Sequence, residues 1–107
     1  MLYDGLVTAL KQAIPACEQK QVQKAHDDLM KAQEIITQLM ATLNMEYEIA
    51  GNLYQLYDYY TRRLIQANLK KDPAIVEEVL GMVLKLRSAW ATAEKELRSG
   101  NRHDGEA

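Results

Sequence analysis

The chain has 107 residues, 48% of them hydrophobic and 26% charged, the balance of an ordinary soluble globule with room for one core. Its formal net charge of −2 gives no attraction to phosphate backbones or anionic surfaces, so neither nucleic acid nor membrane insertion is expected. One cysteine, Cys17, has no partner within the chain, which suits a reducing compartment and predicts a small buried side chain.

Two prolines and five glycines interrupt the sequence, and no run of alternating β-branched residues appears, so the fold class is all-α. The first helix is expected from residue 2 to about residue 18, with Tyr3, Val7, Leu10, Ile14 and Cys17 on one stripe and Leu2, Leu6 and Ala13 beside it. It has no capping residue ahead of Leu2, and Pro15 should thin its last turn. The second helix, Gln21 to Leu43, steps by 3 and 4 through Val22, Ala25, Leu29, Ala32, Ile36, Leu39 and Leu43, the pattern of a bundle seam. Asn44 is expected to end it in a left-handed conformation, followed by a very short turn.

The stretch Asn44 to Leu69, expected as a third helix that ends near Lys70 and Lys71, holds five of the six tyrosines and carries two apolar stripes. Ile49, Leu53, Leu56, Tyr60, Leu64 and Ala67 form one, and Tyr47, Ala50, Tyr54, Tyr57, Thr61 and Ile65 form another about 100° away. A helix with two apolar faces has two sets of neighbours or a waiting partner. The first stripe is expected to be core and the second to bind a partner.

Lys70 and Lys71 suit a helix C-terminus, and Asp72-Pro73 is a strong start signal for the fourth helix. Its seam is Val76, Val79, Val83, Leu86, Trp90, Ala93 and Leu97, with Leu80 and Leu84 as a surplus stripe assigned to the partner. Gly81 is expected at a close helix crossing. The core is therefore placed at Ile36, Leu39, Leu53, Leu56, Leu86 and Trp90 among others. Four helices with short links predict an elongated antiparallel up-down-up-down bundle over 1–98, followed by a disordered polar tail over 99–107.

No metal spacing, phosphate loop or cofactor motif appears, and neither histidine follows a glutamate by three, so no metal, cofactor or catalytic residue is expected. The alternative is a histidine phosphotransfer bundle using His26 as nucleophile. The stretch around it departs from that pattern, because Leu29 and Met30 stand where a basic residue and a glycine belong.

The residues also resemble a known family, the FliS flagellar export chaperones. The resemblance is carried by Leu2-Tyr3-Asp4-Gly5, Lys31 to Ile36, Leu39 to Tyr47, Asn52-Leu53-Tyr54, Leu56 to Tyr59, Arg63-Leu64, Ala67-Asn68, Leu86-Arg87 and Trp90. It implies a cytoplasmic bundle without enzymatic activity that binds the disordered C-terminal segment of flagellin, prevents early polymerisation and helps deliver it to an export-gate protein. It also implies a segment ahead of the first motif that covers part of the bundle. Here Met1 directly precedes Leu2, so the bundle is expected to lack that segment and to self-associate through exposed Leu2 and Leu6.

Overall fold

The computed structural model describes residues 2–106, without the side chains of Glu94 and of residues 97–106. Its four helices are α1 (Leu2–Glu18), α2 (Val22–Ala41), α3 (Glu48–Lys70) and α4 (Pro73–Glu106). Helix α1 packs on α2 and α4, and α3 packs on the same two, which closes a ring of four. Short links make neighbours antiparallel, so the bundle runs up-down-up-down. The chain measures 59 × 25 × 18 Å.

Two helix ends use the same device. Lys20 and Lys71 adopt left-handed conformations, with φ of 56° and 51°. Immediately beyond them, Gln21 N–H donates to the Ala16 carbonyl at 2.8 Å and Asp72 N–H to the Ala67 carbonyl at 3.1 Å, closing orphan carbonyls of α1 and α3. Helix α4 starts as its sequence signal requires, with Ala74 N–H donating to Asp72 Oδ1 at 2.9 Å and Pro73 in the first turn.

The link between α2 and α3 differs from expectation. Helix α2 stops at Ala41, and residues 42–47 intervene before Glu48. Asn44 is not left-handed; its Oδ1 accepts Glu46 N–H at 3.1 Å. That local bond gives the backbone an alternative to continuing the helix, so the turn lengthens.

The core draws Leu6, Val7, Leu10 and Ala13 from α1, Ala25, Leu29, Ala32 and Ile36 from α2, and Ile75, Val76, Val79 and Val83 from α4. Leu6 is completely buried, which corrects its expected role in self-association; Leu2 is half-buried against the core. Val22, at the first position of α2, is 60% exposed and leaves the seam. Cys17 is 5% exposed, and burial raises its thiol pKa. Leu97 and the expected disordered tail over 99–107 have side chains outside those described.

The close helix crossing lies at Gly5, where a Cβ would stand 3.3 Å from Ile35 Cδ1, and not at Gly81, which has open space around it. Gly81→Ala is therefore expected to stabilise the fold by about 0.5–1 kcal/mol through helix propensity. Urea unfolding of the two proteins checks this, and an unchanged or lower midpoint contradicts it.

Candidate functional site: an apolar groove at one end of the bundle

The buried seam of α3 is Ala50, Leu53, Tyr57, Tyr60, Leu64 and Ala67. It steps by 3 and 4 and runs between the two stripes expected from the sequence. A helix packed against two neighbours buries the arc that bisects them, so each stripe is half submerged. Ala50 and Tyr57, placed on the partner face by sequence, are 3% and 2% exposed, whereas Ile49, placed in the core, is 56% exposed. Leu56 and Thr61 are half-buried.

Tyr54 and Ile65 are both 45% exposed and lie on the α3 flank toward α2, where Ile65 shares a hollow with Met30. Leu80 and Leu84 pack half-buried on the core. At 100° per residue they share the flank of α4 with Arg87, whose guanidinium donates to Asp4 of α1 at 3.0 Å. Thus, of the eight residues assigned to a partner, Tyr47, Ala50 and Tyr57 line one groove, and the other five do not line it.

The three meet in a groove of about 300 Å³ at the end of the bundle where α1 and α3 begin and α2 stops. Its floor is Leu39, Ala50, Leu53 and Tyr57, and its rims carry Leu43, Tyr47, Ile49 and Trp90. A second hollow of about 180 Å³ shares Ile49, Leu53 and Trp90 and continues past Leu86, Ala89 and Ala93. Among the described residues, only Thr42 and Asn44 bring non-aromatic polar side chains to the first hollow, and none enters the second.

Trp90 belongs to this groove and not to the closed core, being 40% exposed. The Arg87–Asp4 pair sets the reason, because it places Arg87 level with the first turn of α1. Three residues later α4 reaches the level of the first residues of α1 and α3, and Trp90 stands at the rim of the groove. Leu86, one turn earlier, is half-buried. Sequence reasoning missed Ile49 and Trp90 as groove residues because a 3-and-4 pattern marks a face without marking where the facing helix starts.

Two polar contacts frame the groove. On the floor, the hydroxyls of Tyr3 and Tyr57 hydrogen-bond to each other. On the α3–α4 side, Glu78 accepts from Tyr59 at 2.9 Å and from Arg63 at 2.6 Å, which holds the Glu78 carboxyl below its usual pKa and clamps the helices below the groove.

Burial, reinforced by the Tyr3 bond, raises the Tyr57 phenol above its ordinary value of 10.0, and burial raises Tyr60 too. A raised folded-state pKa means the neutral phenol is the stabilised form. Its contribution is complete below pH 10 and disappears as pH climbs further. The melting temperature is therefore expected to fall as pH rises above about 10, less steeply in Tyr57→Phe. Parallel alkaline melting curves for the two proteins contradict this.

His26 is exposed, and its Nδ1 receives Asn68 Nδ2–H at 2.9 Å. Among the described residues, no group of three His, Cys, Asp or Glu side chains could hold a metal, and no helix is long and apolar enough to cross a membrane. The groove offers area and shape: a trough of aromatic and aliphatic side chains fit for the apolar face of an amphipathic helix.

The sequence matches the family model described as Flagellar protein FliS over residues 1–97. The chain is 37% identical to the flagellar secretion chaperone FliS of Bacillus subtilis over 105 residues, covering 98% of this chain and 79% of that protein. It is 45% identical to the flagellar secretion chaperone FliS of Salmonella typhimurium over 93 residues, covering 84% and 69%. For the protein of the same name in Vibrio cholerae the identity is 37% over 92 residues, covering 84% and 68%. These findings do not favour phosphotransfer at His26. With its four-helix ring and its match across nearly the whole bundle, the chain belongs to the FliS family of flagellar secretion chaperones.

Proposed function

We propose that this chain binds the C-terminal segment of flagellin in the cytoplasm, prevents its early polymerisation and presents it to a protein of the export gate, without catalysing a reaction. The cargo folds as an amphipathic helix into the groove bounded by Tyr47, Ile49 and Trp90. One observation supports this most: three large apolar side chains stand exposed, at 65%, 56% and 40%, around a floor that is already buried. A monomer gains nothing from wetting such residues together, and a partner helix would cover them. The family membership and the relatives' names supply the cargo class.

Ordering a disordered segment consumes part of the interaction energy, which suits cargo that must later be released. Export-gate recognition of the loaded form follows the same logic, because the bound helix completes a surface that the free bundle lacks.

The chain contains one tryptophan, so its intrinsic indole fluorescence reports on the groove. Titration with a synthetic C-terminal flagellin peptide is expected to shift Trp90 emission to the blue, increase total helicity and give a negative heat-capacity change. Binding heat without any change at Trp90 would place the cargo elsewhere. No heat and no change would overturn the reading.

A further inference from the structure

The Trp90 groove is two hollows and not one continuous trough. The two have three lining residues in common, Ile49, Leu53 and Trp90. Side chains that wall both hollows stand on the boundary between them. Leu53, 7% exposed, closes the floor of that boundary, while Ile49 rises from α3 and Trp90 from α4, both well exposed. On one side, the larger hollow runs over Tyr57 to Leu39 and Leu43, at and just beyond the end of α2. On the other, the smaller hollow follows α4 from Leu86 to Ala93. Among the described residues, no charged side chain lines either one.

A helix laid across this surface meets different demands along its length. Anchors one turn apart have Cβ atoms about 5–6 Å from each other, so they touch and leave no space for a boundary. Anchors at i and i+7 share a face and lie about 10.5 Å apart, which straddles a boundary one side chain wide. Positions i+3 and i+4 then sit over Ile49 and Trp90. Large side chains there would collide with two that already stand out of the surface, and the helix would be held off both hollows. An indole can lie flat beneath a helix. The β-branched Ile49 is held to one preferred rotamer by its own helix and does not yield.

We infer that the groove selects a cargo helix with a large-small-large stripe: bulky apolar residues at i and i+7, one for each hollow, and small residues at i+3 and i+4. Ile49 is the side chain that sets the preference for small residues. This rests on the assignment of the groove to the C-terminal segment of flagellin and adds the pattern which that segment presents.

The sign of one comparison tests it. Two synthetic helical peptides carry leucine at i and i+7 and differ only at i+3 and i+4, alanine in one and leucine in the other, both shown to be monomeric by sedimentation. Alanine and leucine have nearly equal helix propensity, so the free peptides are alike. Burial of apolar area alone would make the leucine peptide the tighter ligand. The divided groove reverses that order: the alanine peptide is expected to bind about tenfold more tightly, because overpacking penalises the other. Ile49→Ala should keep the fold, since Ile49 is 56% exposed, and should cancel or invert the preference.

Calorimetry and Trp90 emission of the full chain read these titrations, with the flagellin peptide run beside them. A leucine peptide that binds the parent chain as tightly as the alanine peptide, or more tightly, overturns the inference. So does a preference that is unchanged in Ile49→Ala. If the flagellin peptide shifts Trp90 emission while neither designed peptide binds, the stripe is wrong and the flagellin assignment stands. If none of the three binds, the assignment falls and the inference falls with it.

Discussion

Replacing Tyr57 by aspartate is expected to unfold the bundle, while the same change at Tyr54, three residues earlier, leaves it standing. Tyr57 is 2% exposed, pairs its hydroxyl with Tyr3 and lies 6.2 Å from the Tyr60 ring, centroid to centroid. Removing a buried aromatic side chain costs about 3–5 kcal/mol, and a carboxylate without a donor in that space adds to the loss. The total approaches the stability of a domain this size, about 5–15 kcal/mol. Tyr54 is 45% exposed and accepts a charge within about 0.5 kcal/mol, as surface positions do. Circular-dichroism melting separates the two. A cooperative transition for Tyr57→Asp close to that of the parent would contradict the assignment of Tyr57 to the buried seam.

That contrast also shows how much could be read from residues alone. The helices, their order and the start of α4 follow from local chemistry: 3-and-4 spacing, an aspartate before a proline, and scarce breakers. The exact buried face of α3 does not, because tyrosine is apolar enough for a core and polar enough for a rim, and both stripes satisfy the same spacing. Choosing between them requires the positions of α2 and α4. The correct seam combines Ala50 and Tyr57 from one stripe with Leu53, Tyr60, Leu64 and Ala67 from the other, which only a neighbour on each side can dictate.

The helix ends were hidden for a different reason. Lys20 and Lys71 hold left-handed conformations that glycine or asparagine would ordinarily signal, and backbone closures to Ala16 and Ala67 compensate for the missing glycine. Asn44, which carries the expected residue type, uses its side chain to accept Glu46 N–H instead.

Trp90→Ala is expected to leave the fold largely intact and to remove most of the cargo affinity. Taken as a closed-core residue, Trp90 would cost about 3–5 kcal/mol on truncation. At 40% exposure part of that contribution is already absent, and the expected change in stability is about 2 kcal/mol. Binding should respond more strongly. Trp90 lines both hollows of the groove, so a helix seated there covers the indole from two sides, the environment in which tryptophan becomes a hot spot worth about 2–4 kcal/mol. That corresponds to a loss of roughly 30-fold to 1000-fold in affinity. Ile49→Ala should show the same division on a smaller scale, because it shares both hollows and is 56% exposed. The measurement is anisotropy of a labelled C-terminal flagellin peptide titrated with each variant, beside urea unfolding of the same samples. If Trp90→Ala loses 3 kcal/mol or more of stability, the indole is core and the groove is shallower than described. If stability and affinity both stay near the parent's, the cargo helix does not pass over α4 at this level.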